Sequence, residues 1–248
     1  VIALINQLVK QASCLNDFSK DIVGSLLQLA SSDDQNDVYA CLESILEKLH
    51  NLQNSSIFVE GFNKFLTKSQ DATQQLQDLF ETQKVCLRLS DNLLLPETII
   101  RHGTLELIKT IFKIQKKEFP QLLDECQIIE QIPLSLQNAR DITTRIRGLG
   151  VEYTKIEADE VTNNIFFKHL FGLLTVRFSP VWEGVYEILP KIYGKDQALV
   201  WNLLLRTLKY PDHNHSLEYF EGSVETDTDI GFWKSNLARF MDTIQLFS

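Results

Sequence analysis

Residues Ile165 to Trp182 read IFFKHLFGLLTVRFSPVW, and this stretch decides the fold class. From Ile165 to Phe178 almost every position is apolar, with Lys168, His169, Thr175 and Arg177 as the exceptions. A helix that is apolar nearly all round must be covered on most sides. It is too short and too interrupted by charge to cross a bilayer, which needs about 20 apolar residues. Ser179 and Pro180 then suit the N-cap and N1 positions of a second helix, with Val181, Trp182, Val185, Ile188 and Leu189 on its inner face. The densest apolar part of the chain is therefore a helical hairpin in the middle of what reads as an all-helical body.

Working outward, helical spacing recurs through the chain. Asp17 or Ser19 suits the cap of a helix with Phe18, Ile22, Leu26 and Leu29 inward. Val38, Leu42, Ile45, Leu46 and Leu49 follow at helical intervals after a polar loop over 31–37. Phe58, Phe62 and Phe65 mark a shorter helix, and Asp71 suits the cap of the next, with Leu76, Leu79 and Phe80 inward. Pro96 at N1 and Glu97 in the first turn open a helix with Ile100, Leu105, Leu107, Ile108, Ile111, Phe112 and Ile114 on one face. Ser135 suits the cap of a helix carrying Ile142, Ile146, Leu149 and Tyr153, and a later one runs through Leu199, Trp201 and Leu203 to Leu208. Gly231 to Phe247 restores helical spacing with Trp233, Leu237, Phe240, Ile244 and Phe247. These are roughly eleven helices in pairs, without a strict sequence period. The sequence predicts an all-α fold, a HEAT-type α-solenoid of antiparallel helix pairs, with a compact all-α domain as the alternative. Residues 1–248 read as one continuous helical-repeat segment cut from a longer chain, with an acidic mobile loop over 211–230 that holds six acidic residues and no Lys or Arg.

Composition narrows the function classes. The 248 residues carry a net charge of −9, the opposite sign from a free-standing nucleic-acid-binding domain, so any RNA contact must come from a local basic patch. Ten glycines and six prolines are too few for a turn-rich β-sandwich or barrel. Cys14, Cys41, Cys86 and Cys126 follow no CxxC pattern and read as buried thiols. Neither a signal peptide nor a transmembrane span is evident.

Four lysines, Lys109, Lys113, Lys116 and Lys117, lie on the face of the helix after Pro96 opposite its apolar one and suit RNA phosphates. An ordinary solvated helix face is the alternative. Arg140, Arg145 and Arg147 form a second basic cluster. Asp141 sits four residues before Arg145 and is expected to pair with it, leaving Arg140 and Arg147 as the freer cations. His213 and His215 beside Asp212 lack the further ligands a metal site requires, and His169 reads as a core histidine. Gly148-Leu149-Gly150 lacks the preceding strand of a dinucleotide site. Trp182, Trp201 and Trp233 are read as packing residues. No motif of a nucleophile, phosphate loop or metalloprotease occurs, so the chain is expected to be no enzyme and to need no cofactor, metal or small-molecule ligand.

Four strings carry a resemblance: DNLLLPETIIRHGTLELIK over 91–109, LSLQNARDITTRIR over 134–147, LFGLLTVRFSPVW over 170–182 and KDQALVW over 195–201. Together they resemble the middle part of the giant HEAT-repeat scaffold proteins of the down-regulated-in-metastasis family. The match covers 91–210, whereas 1–90 agrees only in helical pattern and 211–230 matches little. The Ile100-Arg101 pair within the first string is spelled like the second helix of a HEAT repeat. The resemblance implies a nucleolar, non-catalytic scaffold of the small-subunit processome, the 90S pre-ribosome, that supports small-subunit rRNA processing and maturation. It also implies other processome proteins as partners, pre-rRNA contact through local basic faces, and no membrane. A general HEAT adaptor binding only protein partners, as in transport or signalling, has the same composition and is the alternative.

Overall fold

The computed structural model describes residues 1–12, 15–30, 35–69, 74–176, 178–208 and 241, and the following statements concern these. The acidic segment 211–230, His213, His215, the expected helix around Trp233, the Asp71 cap, Cys14 and Arg177 lie outside the described residues. Every described element is helical, with no strand among the described residues. No described helix is long and apolar enough to cross a membrane.

The chain divides into two compact units, Val1–Gln131 and Ile132–Ser248. The first holds α1 (Ile2–Gln11), α2 (Asp17–Leu29), α3 (Gln35–Glu47), α4 (Leu49–Leu52), α5 (Ser56–Lys68), α6 (Gln74–Thr82), α7 (Val85–Leu89), a 3₁₀ turn (Ser90–Leu94), α8 (Thr98–Ile114) and α9 (Gln121–Gln131). The second holds α10 (Ala139–Lys155), α11 (Glu160–Leu173), α12 (Ser179–Ile192), a short 3₁₀ turn (Tyr193–Lys195) and α13 (Gln197–Leu208).

Within the first unit α2 packs on α5 and α5 on α8, while α1 packs on α3 and α4 on α7. Side-chain bonds fix the directions. Ser55 at the start of α5 donates to Asp21 near the start of α2, and Lys68 at the end of α5 donates to the Gln28 carbonyl near the end of α2. Asn63 of α5 accepts from Thr110 of α8, and Val59, one turn earlier, lies against Gly103. Ser44 of α3 reaches Asn6 of α1, and Lys48 reaches the Ala12 carbonyl. Each of these stacked pairs runs parallel, so the chain must return between them. α9 does return antiparallel to α8, with Glu130 against Arg101 and Asp124 against Lys109. The second unit repeats the rule by itself. α10 and α12 run parallel through Thr143 to the Pro180 carbonyl and Arg147 to Glu187, and α11 packs on α13.

The Ile165–Trp182 stretch forms the predicted hairpin. Every residue from Ile165 to Leu174 is buried, Lys168 and His169 included. Asp159 caps α11 by accepting from the Thr162 amide. Tyr153 of α10 stacks on Phe166 at 4.5 Å and meets Phe167 edge-on. Trp182 is 4% exposed, and its indole N–H donates to the Val176 carbonyl at 2.7 Å, closing the turn between the two helices. Trp182→Ala is expected to cost about 3–5 kcal/mol. A chemical denaturation curve coinciding with that of the parent would show that the ring bears no load.

Several local expectations are corrected. α2 turns its other face inward: Val23, Gly24 and Leu27 are buried, whereas Phe18 is 74% and Leu29 70% exposed. Gly24 explains this, because the smallest side of a helix lets a neighbouring backbone come closest, and α5 lies against it. Asn16, not Asp17 or Ser19, caps α2 through the Ser19 amide. Pro96 precedes α8, whose N-cap is Glu97, and α12 has Phe178 at its N-cap with Ser179 as its first residue. Asn138, not Ser135, is the N-cap of α10. Trp201 is 37% exposed, so only Trp182 of these two is a core residue.

Gly148 and Gly150 are ordinary helical positions of α10 with opposite surroundings. A Cβ at Gly148 would meet nothing within 4 Å, whereas one at Gly150 would lie 2.8 Å from Ile188 Cγ2 and 2.9 Å from its Cβ. Gly148→Ala is therefore expected to stabilise the chain by about 0.5–1 kcal/mol through helix propensity and unfolded-state entropy. Gly150→Ala is expected to destabilise by about 1–3 kcal/mol through overpacking. Urea titration of the two variants gives shifts of opposite sign if α12 packs on α10 as described.

Candidate nucleic-acid interface

The lysine stripe occupies the C-terminal half of α8 and the turn after it. Its apolar counterpart, Leu105, Leu107, Ile108, Ile111, Phe112 and Ile114, is buried as the spacing predicts, so the lysines are turned outward. Cations here also complement the negative end of the helix dipole. The helix ends in a Schellman motif. The Lys117 amide donates to the Phe112 carbonyl at 2.9 Å and the Lys116 amide to the Lys113 carbonyl at 3.1 Å. Lys116 takes the left-handed position at φ 56°, which glycine usually fills.

The four ammonium groups are not equivalent. Lys109 pairs with Asp124 of α9 and lies 5.3 Å from the centre of the Phe119 ring. Lys117 pairs with Glu81 of α6 at 2.6 Å. Lys113 and Lys116 are exposed and make no ion pair among the described residues.

The arginine cluster sits on α10. Arg140, Thr144 and Arg147 are exposed together. Arg145 lies 3.4 Å from Asp141, as the four-residue spacing predicts. Arg147, expected to be free, is instead gripped by both carboxylate oxygens of Glu187 on α12. The hydrogen bond from Arg147 holds Glu187 below the usual carboxylate range, and the same bond raises Arg147. Sequence spacing could not show this, because the partner is 40 residues away. Arg140 alone of the expected pair has no carboxylate partner among the described residues.

Other lysines prove to have structural roles that spacing does not reveal. Lys48 and Lys68 each cover a carbonyl at the C-terminal end of the parallel neighbour, on α1 and α2. Lys195 donates to the Tyr153, Thr154 and Ile156 carbonyls at the end of α10. Each satisfies carbonyls that a helix end leaves open.

The described cysteines lie in the core. Cys41, Cys86 and Cys126 are buried and stand outside any disulfide; burial pushes the Cys41 thiol up to about 12 and raises Cys126 well above its ordinary value. Among the described residues no three of His, Cys, Asp and Glu are grouped to hold a metal.

No family model matches the chain. The chain is 40% identical over all 248 residues to U3 small nucleolar RNA-associated protein 20 of Saccharomyces cerevisiae. It is 27% identical over 156 residues, 62% of its length, to the protein of the same name from Schizosaccharomyces pombe. The chain spans 10% of the budding-yeast protein's length, and the match to the fission-yeast protein covers 6% of that one.

Proposed function

In sequence this chain belongs with U3 small nucleolar RNA-associated protein 20 along its whole length, and from that premise we propose that it is part of a non-catalytic scaffold in ribosome biogenesis. The scaffold is a component of the small-subunit processome in the nucleolus, where it supports the processing and maturation of small-subunit rRNA. The observation that carries this is the 40% identity across every residue of the chain. A similarity confined to one apolar helix would carry far less. On this proposal residues 1–248 are one continuous stretch of HEAT-type pairs, supported by the parallel stacking of alternate helices within each unit. The partners are other processome proteins, with pre-rRNA reached through local basic faces. Lys113, Lys116 and Arg140 are the contacts ready to meet phosphate. Lys109, Lys117 and Arg147 would reach it by exchanging a carboxylate for it.

The test is localisation of the intact, tagged protein. Concentration in the nucleolus is expected. Steady-state exclusion from the nucleolus would overturn the proposal and leave the protein-only adaptor as the better reading.

A further inference from the structure

Most cations of the first unit are already held. Lys20, Lys64, Arg101, Lys109 and Lys117 pair with carboxylates, and Lys48 and Lys68 cover helix carbonyls. Five lysines and arginines of that unit have neither an ion pair nor such a carbonyl bond among the described residues: Lys10, Lys84, Arg88, Lys113 and Lys116. Three of these, Lys84, Lys113 and Lys116, meet at one corner. The Lys117–Glu81 ion pair ties the end of α8 to the end of α6. Lys84 follows Glu81 by one turn, its amide donating to the Glu81 carbonyl, and Lys113 and Lys116 lie within one turn before Lys117. Arg88 is half-buried one turn beyond Lys84 on α7, and burial lowers its affinity for the proton, a cost that an arriving anion would relieve.

A second observation singles out this corner. Among the described residues only two non-glycine residues have positive φ, and both are these lysines, Lys84 at 48° and Lys116 at 56°. Each occupies the residue after a helix C-cap, where glycine or asparagine relaxes the strain. Lysine at such a bend carries its ammonium outward from the corner at a cost in backbone strain. Dipole complementarity accounts for a cation near each helix end, but it does not require the strained position itself. The acidic groups within one turn are Glu81, which Lys117 holds, Asp78, which accepts from Gln74, and Glu118, which is exposed. Four lysines against three carboxylates leave the corner positive within a chain of net charge −9.

We infer that the corner formed by Lys84, Lys113 and Lys116 at the ends of α6 and α8 is a docking point for the phosphate backbone of RNA. This rests on the proposed place of the chain in a pre-ribosomal particle, and it adds Lys84, which no spacing argument reaches. Contacts to phosphate position an RNA without reading its sequence, so a short RNA duplex of arbitrary sequence is a suitable probe.

The experiment measures fluorescence anisotropy of that duplex against the purified chain across a salt series. The corner variant is Lys84→Asn, Lys113→Gln, Lys116→Asn, since asparagine tolerates the left-handed bend. The control variant, Lys10→Gln, Lys155→Gln, Lys191→Gln, removes the same charge elsewhere. The corner variant is expected to bind at least about tenfold more weakly, with a salt slope shallower by about three, while the control stays within about twofold. Equal weakening in both variants, no RNA binding by the parent at near-physiological salt, or preferential binding of an acidic peptide would each overturn the inference. Unchanged melting curves for both variants exclude unfolding as the cause. Nucleolar localisation of the intact parent protein separates the two claims: with localisation intact and RNA affinity absent, the corner fails and the scaffold proposal stands.

Discussion

Alanine at position 101 is expected to destabilise the first unit by about 3–5 kcal/mol, because it leaves a buried carboxylate without its counterion. Arg101 is 1% exposed. Its Nε and Nη2 donate to the two oxygens of Glu130 on α9, each at 2.8 Å. Nη1 donates to the Leu95 and Pro96 carbonyls at 2.8 Å, and Nη2 also reaches Thr98 at 3.2 Å. One guanidinium thus joins α8, α9 and the turn that enters α8. Lysine at this position is expected to rescue little, since a single ammonium cannot reproduce the planar fork. The paired change Arg101→Met with Glu130→Leu is expected to recover most of the loss, because a buried ion pair replaced by apolar groups is often neutral. Urea denaturation of the three variants checks this. An Arg101→Ala midpoint matching the parent would contradict the geometry outright.

Gly61→Ala is expected to cost about 3 kcal/mol, at the top of the range for overpacking. A Cβ on Gly61 would lie 2.1 Å from the Gly24 carbonyl oxygen, and one on Gly24 would lie 2.6 Å from the Ile57 carbonyl oxygen. These are backbone atoms, so no side chain can swing aside. α2 and α5 must separate, which also strains the Ser55–Asp21 and Lys68–Gln28 bonds. Gly24→Ala is expected to cost a similar amount. The double variant is expected to cost clearly less than the sum, because one separation relieves both clashes. Full additivity would mean that the two glycines do not share a crossing.

The same crossing shows where the sequence stops being legible. The central hairpin and the buried face of α8 could be read directly, because each has one solution for its apolar residues. α2 could not, because it has two apolar faces. Its inward face is chosen by Gly24 against Gly61, a contact across 37 positions that no local period records. Arg101 was visible only as half of a repeat-like Ile-Arg spelling; its buried ion pair depends on Glu130, 29 residues on. The basic stripe was likewise legible as a face, but its division was not. Asp124 and Glu81 arrive from α9 and α6, Glu187 takes Arg147 from α12, and only the folded chain shows which cations remain unengaged. Helix starts slipped by a residue or more at Pro96, Ser135 and Ser179: Pro96 stands before the N-cap Glu97, Asn138 takes the cap position expected of Ser135, and Ser179 is already the first residue of its helix.

The scaffold proposal is tested most directly by recovering the intact, tagged protein under native conditions and measuring the U3 small nucleolar RNA that comes with it. Membership of the processome predicts strong enrichment of that RNA over unrelated small RNAs. Recovery of protein partners with U3 RNA at background would contradict it.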